Sequence, residues 1–280
     1  MLTAEEIVRM VRIMVKLGIN KVRITGGEPL IRMDLEQIFS GITAIDGISD
    51  VPMTTNAIGL SARLDGLCNA GLTRLNISLD SLIPEKYQKI TGSDSLPEVL
   101  RGIEAAVKKG IRVKINSVLI RGINDDEVDS LIDLGKNQPV SIRFIEMMPI
   151  GKYAVYHQDR VILNKEILAD RPELIPIKDD SGGVAEVFQK PGYLGTVGFI
   201  SSLSHQFCPS CNRIRLTSDG KLKPCLGRNN EINVLPVLRD KTSTDEILES
   251  IIRDVILSKP DGHHFNNGES PARNMRAIGG

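Results

Sequence analysis

The stretch from residue 111 to residue 147, IRVKINSVLIRGINDDEVDSLIDLGKNQPVSIRFIEM, contains the repeating unit that predicts the fold. Residues 111–119 are rich in β-branched side chains and predict a strand. Residues 125–136 have apolar side chains at helical spacing, and residues 141–147 predict a second strand. A strand, a helix and a strand joined by short connections are typical of a βαβ unit, in which the two strands are parallel.

The same alternation extends back to the start of the chain. Thr3 and Glu6 have the spacing of a capping box, and the apolar residues after them predict a helix that ends at Gly18. Further elements are predicted as strands at 21–25, 51–54 and 74–79 and as helices at 61–69 and 95–110. We therefore predict an α/β fold whose parallel sheet forms a barrel or an open barrel. Its chemistry should lie at the C-terminal ends of the strands.

The alternation stops after residue 148. Residues 150–225 mix Gly, Pro and short β-like runs, and residues 235–258 predict one more helix. The last segment, 259–280, is polar, and its composition favours a disordered end.

The charge of the chain argues against two classes of function. The sequence has 35 basic and 35 acidic side chains, so its formal net charge is zero. A protein whose main function is to bind nucleic acid or an anionic membrane needs a basic face, and a net charge of zero disfavours such a face. No apolar run approaches the ~20 residues needed to span a bilayer, and the N-terminal residues predict an amphipathic helix instead of a signal peptide. We therefore expect a cytoplasmic globular protein.

Three of the four cysteines lie close together near the C-terminal end. Cys208 and Cys211 form a CxxC pair, and Cys225 follows thirteen intervening residues later. This distribution indicates a cytosolic metal site and not a disulfide scaffold. The three thiolates would fit zinc, with His205 as fourth ligand, or an iron–sulfur cluster with one iron open for substrate; spacing alone slightly favours zinc. Cys68 lies on the apolar face of a predicted helix, where packing is the simpler interpretation.

Two arginines follow the CxxC pair at strand spacing. If residues 211–216 form a strand, Arg213 and Arg215 lie on the same face as Cys211. Two guanidinium groups beside a metal centre suit a polyanion such as a triphosphate. Without the cysteines, the same pair would be interpreted as solvated surface residues.

Several motifs resemble those of one enzyme family. Residues 22–30, VRITGGEPL, resemble the GGEP strand of radical S-adenosylmethionine (SAM) enzymes. Residues 208–226, CPSCNRIRLTSDGKLKPCL, are similar to the second-cluster motif of the GTP 3′,8-cyclases, the molybdenum cofactor biosynthesis protein A family. NISLDSL at 76–82, FIEMMPIG at 144–151 and the terminal diglycine match this family in order and spacing.

The resemblance implies a fold and two domains. Residues 1–149 would form an incomplete parallel (βα) TIM-like barrel of the radical SAM type. Residues 150–280 would form a C-terminal molybdenum cofactor synthesis domain, an extension that carries a second 4Fe–4S iron–sulfur cluster and the diglycine tail.

The resemblance also implies roles for individual residues, none of them assigned as catalytic. SAM would be contacted by Gly27, Ser78 and Met148. GTP would be contacted by Arg23, Thr54, Lys114, Arg213 and Arg215. The 4Fe–4S cluster would be bound by Cys208, Cys211 and Cys225, and its open iron would receive the guanine. Gly279 and Gly280 would reach into the active site, against the composition-based interpretation of the tail.

The implied reaction is a radical rearrangement of GTP to (8S)-3′,8-cyclo-7,8-dihydroguanosine 5′-triphosphate in molybdenum cofactor (molybdopterin) biosynthesis. A SAM-derived radical removes the 3′ hydrogen of GTP, and the ribose radical attacks C8 of guanine. The protein would contribute positioning, charge matching and exclusion of water. The implied partners are GTP, the downstream cyclic pyranopterin monophosphate synthase and a second copy in a homodimer, with no nucleic acid and no membrane.

One feature of the family is missing from the sequence. Family members carry CxxxCxxC after the first barrel strand, whereas Cys68 is the only cysteine before Cys208. We therefore expect an N-terminally shortened cyclase whose barrel lacks its first strand. Such a chain would bind one 4Fe–4S cluster and would have no ligands for the SAM-binding cluster.

Two other functions stay open on the sequence alone. The missing motif favours a non-catalytic nucleotide-binding or scaffold protein with one metal site of three cysteines, although the arginines near the cysteines argue against it. A radical SAM peptide-modifying enzyme with an auxiliary cluster is the other. The NRIRLT run and the terminal diglycine argue against that function.

Overall fold

Strands and helices alternate in the first half of the computed structural model, which describes residues 1–280 except 152–156, 179–182, 206, 264, 266–270 and 279–280. In chain order the elements of this half are α1 (Ala4–Lys16), α2 (Leu35–Thr43), β1 (Met53–Thr55), α3 (Leu60–Asn69), β2 (Arg74–Ser78), α4 (Pro84–Thr91), α5 (Leu96–Lys108), β3 (Arg112–Val118), α6 (Val128–Asp133) and β4 (Ser141–Ile145).

The second half contains more strands and shorter helices. Its elements are α7 (Asn164–Ala169), β5 (Ile175–Ile177), β6 (Glu186–Gln189), β7 (Thr196–Ile200), β8 (Arg215–Leu216), β9 (Lys221–Lys223), β10 (Ile232–Asn233), α8 (Leu235–Arg239), α9 (Asp245–Leu257) and α10 (Met275–Ile278). Short 3-10 turns lie at Pro29–Ile31, Asp125–Glu127, Gln158–Arg160 and Cys208–Ser210.

Seven of these strands form one sheet in the order β1-β2-β3-β4-β7-β6-β5. The five strands β1, β2, β3, β4 and β7 are parallel, and β5 and β6 are antiparallel additions at one edge. The predicted mostly parallel α/β sheet, consistent with a partial TIM-like barrel, is confirmed. Since β7 pairs with β4, the sheet continues past residue 149.

Four predicted segments differ from the observed structure by more than two residues at an end. Residues 21–25 form only two isolated parallel bridges to the β1 side, Lys21 to Asp50 and Ile24 to Met53, and no full strand. The predicted helix at 125–136 is a 3-10 turn followed by α6, and the one at 235–258 is split into α8 and α9. The interpretation of 259–280 as a disordered end is wrong for its described part, because α10 is formed and Ile278 is only 2% exposed.

The N-terminal helix joins the two halves of the chain. The predicted capping box is present, with Glu6 N donating to Thr3 Oγ1 at 3.2 Å and Thr3 N donating to Glu6 Oε2 at 2.9 Å. One face of α1 packs against α2, and buried residues on another face, among them Met10 and Ile13, pack with α9 and β9. None of the helices in the described part of the chain has the length and apolar character that crossing a membrane requires.

A glycine at the start of β7 has no room for a side chain. A methyl group at Gly195 would overlap the carbonyl oxygen of Val140 and lie 2.9 Å from the Cα of Gly135. We expect Gly195→Ala to lower the free energy of unfolding by about 3 kcal/mol, because the backbones of two connections must separate. Chemical denaturation followed by circular dichroism measures this loss.

Gly192 provides the control for this substitution. It has a φ of +81° and open space around the position of a Cβ atom, so alanine there costs only about 1 kcal/mol of backbone strain. Equal losses for the two variants would contradict the close approach at Gly195.

Candidate active site

The face of the sheet turned away from the helices carries a row of polar side chains. Thr54, Asn76 and Lys114 are register partners on β1, β2 and β3. Their neighbour Leu75 is fully buried, so these three side chains project from the opposite face. Strand spacing puts Thr54 and Lys114 about 10 Å apart, and the Asn76 amide donates to Thr54 Oγ1 at 3.4 Å. Two residues predicted to contact GTP therefore lie in one row.

A second row lies one step closer to the C-terminal strand ends. Ser78, Asn116, Arg143 and Gly198 are register partners on β2, β3, β4 and β7. A Cβ atom at Gly198 would lie 3.3 Å from Cγ of Arg143, so this glycine leaves the space that the arginine side chain occupies. Ser78, predicted to contact SAM, is exposed, whereas Arg143 is 8% exposed.

Arg23 lies beside the first row, because the next residue, Ile24, accepts a hydrogen bond from Thr54 N at 2.9 Å. Arg23 is accessible to solvent, yet burial among the surrounding protein atoms lowers the pKa of its guanidinium to about 10. Repulsion from Arg213, Arg74 and Arg143 lowers this pKa further. At neutral pH the group stays cationic, so the surroundings of Arg23 concentrate positive charge and suit an anionic ligand.

The GGEP turn is held against the end of β1 by one carboxylate. Glu28 accepts hydrogen bonds from the hydroxyl of Thr55 at 2.6 Å, from Asn56 N at 2.7 Å and from Leu30 N at 3.0 Å. Gly27, predicted to contact SAM, lies in the adjacent bend and is exposed. Glu28 therefore fixes the turn that presents Gly27 at the strand ends.

A second carboxylate, Glu146, lies fully buried just after β4. It accepts from the backbone N–H groups of Leu203 and Ser204 at 2.8 Å each, from Asn164 N at 3.1 Å and from the Ser204 hydroxyl at 2.5 Å. Its own carbonyl accepts from the Ser202 hydroxyl at 3.0 Å. One side chain thus joins the end of β4, the start of α7 and the loop after β7.

The cysteines lie on a hairpin and on the loop that leads to it. β8 and β9 are antiparallel, with Arg215 opposite Lys223 and a turn at Gly220, whose φ is +79°. This turn reverses the chain, so Cys225 follows β9 at the level of the residues that precede β8. The strand predicted at 211–216 is limited to β8, which excludes Arg213.

Lys259 ties the two cysteine-bearing segments together. Its ammonium group donates to the carbonyl of Arg213 at 2.7 Å and to the carbonyl of Pro224 at 2.9 Å. These residues lie next to the segments of Cys211 and Cys225. One lysine therefore holds both segments at a fixed separation.

Arg215 is half-buried and lies opposite the buried Lys223. Burial and repulsion from Arg213 lower the pKa of its guanidinium to about 10, whereas Cys211 and Cys225 act in the opposite direction. The structure therefore brings both thiols and both arginines into one electrostatic neighbourhood. In the part of the chain that the structure describes, however, no three His, Cys, Asp or Glu side chains converge closely enough to hold a metal ion.

Met148 lies in a small apolar cluster that also contains the end of the chain. Ile150, Phe265 and Ile278 are buried there, and Met148, Met275 and Leu226 pack against them together with Leu203. The carbonyl of Ile278 accepts a hydrogen bond from Arg215 Nη1 at 3.3 Å. Gly279 and Gly280, predicted to reach the active site, lie outside the described residues.

Comparison with known proteins decides the family. The chain is 45% identical to a GTP 3′,8-cyclase of Alkaliphilus oremlandii, over 100% of this chain and 87% of the relative. The chain belongs to the GTP 3′,8-cyclase family. It is also 43% identical to a GTP 3′,8-cyclase of Syntrophomonas wolfei, with 100% of this chain and 87% of that relative covered.

Two family models match the two parts of the chain, and solved structures show a similar fold. A model described as the radical SAM superfamily matches residues 1–135, and one described as Molybdenum Cofactor Synthesis C matches residues 140–265. The fold is similar to that of Streptococcus suis SuiB, with a TM-score of 0.57 at 16% identity over 95% of this chain and 67% of that one. A structure of SuiB bound to S-adenosylmethionine gives a TM-score of 0.55 at 17% identity over 88% of this chain and 60% of that one.

Several polar residues organise this site without having been predicted from the sequence. Glu28, Arg143, Glu146, Lys259 and Arg273 were given no role. Arg143 is in register with Asn116 and Ser78. The alternation of side chains along β4 is the sequence signal that could have placed it on their face of the sheet. The contacts of Glu146 and Lys259 join segments far apart in sequence, which no local pattern reveals.

Proposed function

We propose that this chain binds GTP at the strand ends and acts in its conversion to (8S)-3′,8-cyclo-7,8-dihydroguanosine 5′-triphosphate in molybdenum cofactor biosynthesis. Family membership supports the reaction class, since relatives at 40–45% identity are GTP 3′,8-cyclases. The observation that carries the proposal is the electrostatic neighbourhood of Arg215, which contains Arg213, Cys211 and Cys225.

The triphosphate of GTP would lie among the side chains of Arg23, Arg213 and Arg215. Repulsion from Arg213 is one of the causes that lower the pKa of Arg23, and an anion bound near both groups would relieve this repulsion. Thr54 and Lys114, in the first row, would contact GTP farther along the sheet. Arg215 would complete the set from the hairpin.

The donor set fits an iron–sulfur cluster better than an isolated ion. Cys208, Cys211 and Cys225 are free thiols and partly buried, and three thiolates leave one iron of a 4Fe–4S cluster open for substrate. Such a cluster spans more space than a single ion, and its ligands would come from two segments, the loop with Cys208 and Cys211 and the residues after β9 with Cys225.

SAM would lie at the strand ends against Gly27, Ser78 and Met148. When bound, SAM would supply the one-electron chemistry of the superfamily only with a reduced cluster beside it, and the sequence contains no CxxxCxxC motif to hold that cluster. The protein's part is to fix the GGEP turn through Glu28 and to close the apolar side with Met148. We also propose that residues 1–149 and 150–280 form the two domains. The product would pass to a cyclic pyranopterin monophosphate synthase, and two copies of the chain would form a homodimer.

Removal of the Arg215 guanidinium tests the proposed GTP site. We expect Arg215→Ala, in anaerobically reconstituted protein, to weaken GTP binding by roughly ten- to a hundredfold, because a charge-assisted contact is lost. Guanosine, which has no triphosphate, should bind both forms within about threefold of each other. Isothermal titration calorimetry with GTP and with guanosine measures both affinities.

Arg253→Ala is the control, since Arg253 pairs with Glu249 at 3.0 Å on the exposed face of α9. Its GTP affinity should equal that of the unchanged chain. An Arg215→Ala chain that binds GTP as tightly as this control would refute the proposed site.

A further inference from the structure

Arg273 links the C-terminal segment to the sheet that follows the cysteine pair. Its Nη1 and Nη2 atoms donate to the two carboxylate oxygens of Asp219 at 3.2 Å and 2.9 Å, and Nη2 also donates to Glu231 at 3.0 Å. Asp219 lies in the turn between β8 and β9, and Glu231 immediately precedes β10. One guanidinium therefore contacts both connections of the three-stranded sheet.

These carboxylates are themselves held in place. The hydroxyl of Thr217 donates to Asp219 at 2.5 Å, and the ammonium of Lys221 donates to Glu231 at 2.5 Å. The hydrogen bonds from Arg273 hold the pKa of Asp219 well below its usual range. A two-pronged arginine on prearranged carboxylates fixes direction as well as distance.

The other end of the same segment reaches the predicted substrate arginine. Five residues after Arg273, the carbonyl of Ile278 accepts from Arg215 Nη1 at 3.3 Å, and its side chain is buried beside Met148 and Leu226. α10 has only four residues, too few to be stable without contacts elsewhere. The position of the Ile278 carbonyl therefore depends on what anchors the segment.

We propose that Arg273 is a positioning residue: by binding Asp219 and Glu231 it anchors residues 271–278, so that the Ile278 carbonyl orients the guanidinium of Arg215 toward the triphosphate of GTP. The inference rests on the proposed GTP site. It assigns a function to a salt bridge that lies away from that site. Because the guanidinium is planar and its N–H groups form a rigid fork, a contact at Nη1 also sets the direction in which the rest of the group points.

The anchoring step has a test that needs no GTP. Arg273→Ala should raise hydrogen–deuterium exchange of residues 275–278 by tenfold or more, while exchange in α9 stays unchanged. Arg273→Lys, which keeps a charge but loses the fork, should give an intermediate rise. Unchanged exchange at 275–278 in Arg273→Ala would overturn the anchoring role.

The positioning step is tested by a double-mutant cycle on GTP affinity. Arg273→Ala should weaken binding by about three- to tenfold in the unchanged chain and by less than twofold in an Arg215→Ala background. A residue with only a structural role would have the same effect in both backgrounds, and that additive result would overturn the proposal.

Arg171 provides the matched control for the cycle, since it forms a two-pronged pair with Asp129 at 2.9 Å and 2.9 Å, remote from the cysteine hairpin. Arg171→Ala should leave GTP affinity unchanged. If Arg215→Ala itself has no effect, the GTP site is refuted and the positioning role falls with it. If only Arg273→Ala has no effect, the GTP site stands and the positioning role is overturned.

Discussion

Serine in place of Cys225 is expected to abolish assembly of the iron–sulfur cluster. A serine hydroxyl is not ionised at neutral pH and cannot replace a thiolate ligand. The two remaining thiolates are too few to hold a 4Fe–4S cluster that needs three cysteine ligands. After anaerobic reconstitution, the unchanged chain should contain about four irons and about four sulfides, and Cys225→Ser close to none. Colorimetric iron and sulfide assays measure both.

Cys68→Ser is the control for this experiment. Cys68 is on α3, packs against the main core, and has a thiol pKa that burial raises, so it is a poor ligand. Its replacement should leave iron and sulfide content unchanged. Equal losses for the two variants would show that iron binding does not depend on the hairpin cysteines. Stoichiometric zinc without sulfide would contradict the cluster outright.

Removal of the Glu146 carboxylate is expected to cause the largest loss of stability. Glu146 is only 1% exposed. Glu146→Ala leaves the N–H groups of Asn164, Leu203 and Ser204 without their acceptor. An unsatisfied buried donor, such as Asn164 N, costs about 1–3 kcal/mol, and the partly buried donors of Leu203 and Ser204 add to this, so we expect a total loss of about 3–5 kcal/mol. Chemical denaturation measures it.

Two further variants make this test specific. Glu146→Gln keeps one acceptor oxygen for Leu203 and Ser204 and loses the other, so its loss of stability should be intermediate. Glu104→Ala removes an exposed carboxylate that pairs with Lys108 at 2.9 Å, and it should cost less than about 0.5 kcal/mol. A Glu146→Ala chain as stable as Glu104→Ala would contradict the role of the buried carboxylate.

The parallel sheet was predictable because its signal is local. Residues 111–119 and 141–147 carry the β-branched and apolar patterns that became β3 and β4, with register partners such as Lys114 and Ser141. The run at 21–25 has the same pattern. It forms bridges only on the side of β1, so alternation alone overestimated the strand.

The tail shows where local composition fails. A polar segment was expected to be disordered, but Arg273 finds two carboxylates and Ile278 an apolar cluster, both supplied largely by segments at least 40 residues away in the chain. The burial that stabilises α10 comes from tertiary contacts, which composition does not record. The role that the family resemblance implies for Gly279 and Gly280 stays a prediction.

The site was predictable in part. The spacing of Cys208, Cys211 and Cys225 predicts a metal site with Arg215 beside it, and this site stays a prediction. In the structure, Arg215 interacts electrostatically with Cys211 and Cys225. Which residues hold the segments in place was not predictable. Lys259 and Glu146 act on partners that only the folded chain brings near.

The most direct measurement of the central claim is electron paramagnetic resonance of the reduced, reconstituted chain titrated with GTP. If the hairpin cysteines hold a cluster whose open iron faces the GTP site, the cluster spectrum should shift as GTP saturates the protein, and guanosine should reproduce the shift only at higher concentration. Arg215→Ala should move the midpoint to higher GTP concentration. A cluster spectrum that stays unchanged while calorimetry shows GTP bound would contradict the account.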